Sequence, residues 1–138
     1  MFEHNFGALL VVNDSAVVQD PSGIGPTHIL QENDAWSIRV NWDLGGFMAP
    51  FMGGVNYEVS AYADSLAGGF EGQIGATQPV AGGPLVFQAV IDVPAAAAGG
   101  LTAGAYRLTT LIICKDAAGN PLEMAGFLEG PVIQVYAV

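Results

Sequence analysis

Positive charge is nearly absent from this chain. Among its 138 residues the cations are Arg39, Arg107 and Lys115, set against thirteen acids, for a formal net charge of −10. Proteins that hold a phosphate backbone do so with clustered Lys and Arg, so the composition argues against nucleic acid as a partner. It argues equally against an anionic membrane surface. Cysteine occurs once, at Cys114, which excludes an internal disulfide and a cysteine-based zinc site. The apolar runs stop well short of the ~18 residues that cross a bilayer as a helix, so no membrane span is expected. Met1, Phe2, Glu3 and His4 open the chain without the basic and apolar regions of a secretory signal. The expected compartment is the cytoplasm if Met1 is the native start, although a processed precursor would read the same way.

Helix-forming stretches are missing too. The best one, Ala95 to Ala98, lies between Pro94 and the pair Gly99 and Gly100, which limits it to about one turn. What remains, punctuated by nineteen glycines and eight prolines, reads as strands and turns. Trp36, Ile38, Val40 and Trp42 alternate with Ser37, Arg39, Asn41 and Asp43. Val55, Tyr57, Val59 and Ala61 alternate with Asn56, Glu58, Ser60 and Tyr62. A period of two with one polar face is the pattern of an antiparallel sheet half-buried on a core. Three later segments, 85–93, 104–115 and 132–138, are more apolar; Leu108, Ile112 and Cys114 fall on one face of the second. Shorter candidates lie at 8–12, 16–19, 27–30 and 70–74. The sequence 116–121 suits a hairpin loop, and Gly130 with Pro131 marks a bulge or a late strand start.

The fold class expected is all-β: an antiparallel β-sandwich of about 7–9 strands with essentially no helix, spanning 1–138 as one domain. Residues 1–30 supply N-terminal strands or an extension packed on it. A closed barrel is the rival arrangement. Trp36, Ile38, Val40, Trp42, Tyr57, Val59, Phe87, Ile91, Leu108 and Ile112 are the expected core.

The stretch Leu101, Thr102, Ala103, Gly104, Ala105, Tyr106, Arg107, Leu108 resembles the turn into strand F of immunoglobulin-like and fibronectin-III-like domains. By that resemblance Tyr106 is a corner tyrosine whose hydroxyl bonds back to the upstream backbone. The resemblance implies strands A within 8–30, B at 35–44, C at 55–64, a short C′ or D near 70–75, E at 85–93, F at 104–115 and G at 123–138. Both disulfide cysteines of antibody domains are missing, and the resemblance carries a fold without a function.

Catalytic constellations are lacking. His4 and His28 are the two histidines, no Gly-X-Ser-X-Gly elbow occurs, and Cys114 falls on an inward strand face. Asp14, Asp20, Asp34, Asp43, Asp64, Asp92 and Asp116 fall singly in expected turns, where Asp serves turn geometry; loop acids gathered around calcium are the alternative. No cofactor and no enzymatic activity are expected.

Two apolar features stand out instead. The connection 45–54 carries Phe47, Met48, Phe51 and Met52 between paired glycines and has no charge. It can cap the core, present an apolar tip to a partner, or dip into a bilayer. On the segment 104–115, Leu111 and Ile113 occupy the face opposite the core, and the segment 132–138 is apolar on both faces. Either residues 1–30 or a second subunit is expected to cover that surface. The function expected is a non-enzymatic protein–protein interaction or self-assembly module, with protein, most of all a second copy, as partner. Its contacts would be Phe47, Met48, Phe51, Met52, Leu111 and Ile113. The alternative is a sandwich binding a small ligand or carbohydrate, calcium-assisted, through exposed aromatics such as Tyr62.

Overall fold

The structure is a computed structural model that describes residues 2–4, 11–45, 56–77, 80–81, 86–116 and 118–137. Among the described residues the alternating stretches 36–43, 56–62, 86–93 and 104–115 are strand, whereas of the shorter candidate 27–30 only residues 29–30 are. The strands are β1 (Phe2–His4), β2 (Val11–Gln19), β3 (Ile29–Gln31), β4 (Trp36–Gly45) and β5 (Asn56–Ser65), followed by β6 (Glu71–Ala76), β7 (Val80–Ala81), β8 (Val86–Val93), β9 (Gly104–Lys115) and β10 (Pro121–Tyr136). The chain is all-β; among the described residues the helical content is one 3₁₀ turn at Ala96–Ala98, between the breakers that confine it. Of the ten strands among the described residues, β1, β3 and β7 have three residues or fewer.

The strands form two sheets. One is the three-stranded β2-β4-β8. The other runs β10-β9-β5-β6, with β1 and β3 both on the outer side of β10 and β7 on β5. Pairing is antiparallel except between β3 and β10, which run parallel from Ile29↔Gln134 to Gln31↔Tyr136.

One core lies between the sheets. All ten residues expected there are buried, and Val18, Leu30, Ile133, Val135 and Cys114 join them. Each such aliphatic side chain removed from water contributes about 1.5–3 kcal/mol. Trp42 and Phe87 stack at 5.4 Å, and Tyr57 tilts against both rings at 5.3 and 4.8 Å. These three rings fill the end of the core from which the connection 46–55 departs.

Local chemistry fixes the turns. Asp20 Oδ1 accepts the Ser22 and Ile24 amides, and Asp116 Oδ1 accepts those of Ala118 and Asn120, all at 2.9 Å. The Asn120 amide is the leading cause that holds the Asp116 carboxyl below its ordinary pKa. Asp14, Asp43, Asp64 and Asp92, by contrast, lie inside β2, β4, β5 and β8 rather than in turns. Three of these strands have a solvent-facing row that accommodates an acid, while Asp14 sits on an edge strand opposite Trp42.

The Tyr106 hydroxyl donates to the Thr102 carbonyl at 2.8 Å, and the ring is buried at 3% exposure. Tyr106→Phe deletes that bond and nothing else, so a loss of about 1 kcal/mol in urea-induced unfolding is expected. An unchanged midpoint would show that the bond contributes nothing to stability.

Candidate functional site

The outer face of the larger sheet is built on β9. Because Tyr106, Leu108, Thr110, Ile112 and Cys114 point into the core, Arg107, Thr109, Leu111, Ile113 and Lys115 form the opposite row. On β5 the register sets Asp64, Tyr62, Ser60 and Glu58 beside Arg107, Thr109, Leu111 and Ile113. On β10 it sets Val132, Glu129, Phe127 and Ala125 beside the same four.

Phe127 reaches this face through a bulge. The register of β10 on β9 shifts between Glu129 and Val132, where Gly130 takes φ +92° beside Pro131. One extra residue there reverses the parity of the strand. Phe127 and Glu129 therefore share a face with Val132 and Tyr136, while Ile133 and Val135 are buried. Without the bulge, Phe127 would point into the core.

The result is an apolar centre with charged ends. Leu111 and Ile113 are half-buried among their neighbours, and Phe127, Val132 and Tyr136 are 49%, 46% and 50% exposed. An open groove of about 550 Å³ crosses the face, lined by Tyr62, Asp64, Glu71, Thr109, Leu111 and Phe127. At one end Lys115 Nζ lies 2.9 Å from Glu58 Oε2. At the other, Arg107, Asp64 and Glu71 stand in one row across β9, β5 and β6. Among the described residues, further grooves of about 340 and 360 Å³ lie at turns and one of about 150 Å³ lies on β2, β4 and β8.

Of the expected contact residues, Leu111 and Ile113 are on this face. Phe47, Met48, Phe51 and Met52 lie outside the described residues. The described N-terminal strands do not lie over the face: β2 belongs to the opposite sheet, and β1 and β3 extend the β10 edge sideways. Tyr62 was legible as an aromatic on a polar face, whereas Phe127 was not, because a bulge leaves no periodic signal.

Cys114 is fully buried and its thiol pKa is pushed up to about 12 by burial. Tyr57 is raised as well, by burial first and by Cys114 second. Its hydroxyl and the Trp42 indole nitrogen are buried without a hydrogen-bond partner among the described residues. No group of three or more His, Cys, Asp or Glu side chains comes together as metal ligands among the described residues, and none of the helical segments there is long and apolar enough to cross a membrane. No family model matches the chain, and no curated protein sequence matches it.

Proposed function

We propose that this chain is a non-enzymatic interaction module on an immunoglobulin-like sandwich, and that its contact surface is the outer face of the larger sheet. The fold part of this reading is supported by the strand order. On this reading β2, β4 and β8 correspond to A, B and E, and β10, β9, β5 and β6 to G, F, C and C′. The Tyr106–Thr102 bond at the entry to β9 supports it further.

The observation that carries the function is the groove floored by Leu111 and Phe127 and walled by Tyr62. Tyr62, Leu111 and Phe127 share this open concavity with the carboxylates of Asp64 and Glu71, and aromatic and aliphatic anchors beside polar groups are the composition of a protein contact. The connection bearing Phe47, Met48, Phe51 and Met52 is a second contact element on this reading.

Proximity labelling in the cells that make the protein tests it. Leu111→Glu should strip the set of labelled neighbours, and Phe51→Ser should reduce it. Val90→Glu, on the outer side of the opposite sheet, should leave it intact. Identical neighbour sets for wild type and Leu111→Glu would overturn the reading.

A further inference from the structure

The groove on the outer face has two kinds of lining, and one ligand chemistry satisfies both. Tyr62, Leu111 and Phe127 give it rings and an apolar floor, while Asp64 and Glu71 give it two carboxylates. The register explains why they meet. Glu71 pairs with Asp64 across β6 and β5. Tyr62, the next residue of the same face along β5, pairs with Thr109, whose partner on β10 is Glu129. Across the face the acids Glu58, Asp64, Glu71 and Glu129 outnumber the cations Arg107 and Lys115. Lys115 is engaged by Glu58 at 2.9 Å. Around the groove that leaves Asp64, Glu71 and Glu129 against Arg107, and none of these three carboxylates is ion-paired among the described residues.

The surplus is negative, so the groove repels an anionic group and attracts a cationic one. The rings narrow the choice. A lysine ammonium is compact and strongly hydrated. A guanidinium is planar, more weakly hydrated, stacks on an aromatic face and meets carboxylates with paired N–H donors. Its aliphatic stem lies well on an apolar surface.

We propose that the groove of β5, β6, β9 and β10 binds an arginine side chain presented by an exposed basic segment of a different protein. This rests on the reading of that face as the contact surface and names the chemistry of its partner. Asp64 and Glu71 take the guanidinium N–H groups, Tyr62 takes its flat face, and Leu111 with Phe127 takes the stem and the apolar residue beside it. A second copy of this chain is a poor source of that group, because its arginines, Arg39 and Arg107, lie within strands rather than on a protruding segment.

Calorimetric titration of the purified chain with an acetylated and amidated Gly-Arg-Leu-Arg-Gly peptide tests this. Physiological ionic strength is used, so that diffuse attraction to a chain of net charge −10 is screened within about 8 Å. The peptide should bind. Its counterpart with citrulline in place of both arginines, similar in shape but uncharged, should bind at least tenfold more weakly. Asp64→Asn combined with Glu71→Gln should lower the affinity for the arginine peptide about tenfold or more. Asp34→Asn combined with Asp92→Asn removes the same charge away from the groove and should change it less than about twofold. Tyr62→Leu should cost about two- to fivefold, the scale of one exposed cation–π contact. Far-ultraviolet circular dichroism checks that the variants are folded; Glu71→Gln alone, at an exposed position of β6, replaces the double variant if that fails to fold.

Equal affinity for the two peptides, or binding of neither, would overturn the inference. So would equal losses from the two pairs of acids, which is the result that diffuse charge alone produces. An unchanged affinity in Tyr62→Leu would overturn arginine as the occupant, because a bare ion pair accepts any cation. If the peptide fails while Leu111→Glu still strips neighbours in cells, the face contacts a partner of other chemistry and only the inference falls. If Leu111→Glu strips none, the reading of the face falls with it.

Discussion

Trp42→Ala should lower the free energy of unfolding by about 3–5 kcal/mol, the usual cost of emptying a buried aromatic site. Trp42 is 2% exposed, stacks on Phe87 and tilts against Tyr57, so its removal leaves two rings facing a void. The cavity cannot collapse easily, because β8 and β5 are held in register on different sheets. Trp42→Phe keeps one ring in the stack and should cost clearly less. Urea titration of both variants checks the order. Equal losses would mean that stacking on Phe87 adds nothing beyond the volume lost, and a loss below 1 kcal/mol for Trp42→Ala would remove Trp42 from the cooperative core.

That cluster was legible in the sequence because alternation is local. Trp42, Tyr57 and Phe87 each fall on the apolar parity of a strand, and strands with one polar face leave no choice about which side is buried. The ends of β4, β5, β8 and β9 lie within about a residue of their expected bounds for the same reason. Pairing is another matter, since nothing in the alternation of 16–19 or 27–30 says that β2 joins β4 while β3 lies parallel to β10. Asp14 shows the limit at the level of one residue. An acid between two apolar stretches reads as a turn, yet β2 runs straight through it as an edge strand.

The candidate site was legible in half. Leu111 and Ile113 follow from parity on β9. Phe127 depends on the bulge at Gly130 and Pro131, whose position was visible but whose effect on parity is set by the hydrogen-bond register with β9. The same bulge resolves why 132–138 is apolar on both faces: Ile133 and Val135 complete the core, and Val132 and Tyr136 continue the row that starts at Phe127. The charge pattern needed the structure as well. Arg107 and Lys115 are eight positions apart in sequence, and only the pairing of β9 with β5 reveals that each has a carboxylate beside it.

Gly100→Ala should destabilise the protein by about 1–3 kcal/mol, more than its neighbour Gly99→Ala, although both glycines read alike as helix breakers. A Cβ at Gly100 would lie 1.8 Å from the Pro94 carbonyl oxygen and 3.0 Å from the Ala95 carbonyl carbon. Both are backbone atoms, so no side-chain rotation relieves the overlap. The turn is also tied down on each side. The Gly100 amide donates to Ala95 O at 3.0 Å, and the Glu32 carbonyl accepts the Ala96 amide at 2.8 Å. Glu32 Oε2 accepts the Ala103 amide at 3.1 Å, and Leu101 is buried at 5% exposure. Moving Gly100 away from Pro94 therefore pulls on Leu101 and on Thr102, the acceptor of the Tyr106 hydroxyl. At Gly99 the backbone takes φ +103° with nothing within 4 Å of a Cβ, so alanine there meets conformational strain of about 1–2 kcal/mol at most. Thermal unfolding of the two variants compares them, and Tyr106→Phe in the Gly100→Ala background reports on the corner. If the turn transmits the overlap, Tyr106→Phe should cost less there than in wild type, because the bond it removes is already strained. A larger loss for Gly99→Ala than for Gly100→Ala would show that the turn yields at Gly100, and the steric account of this connection would be wrong.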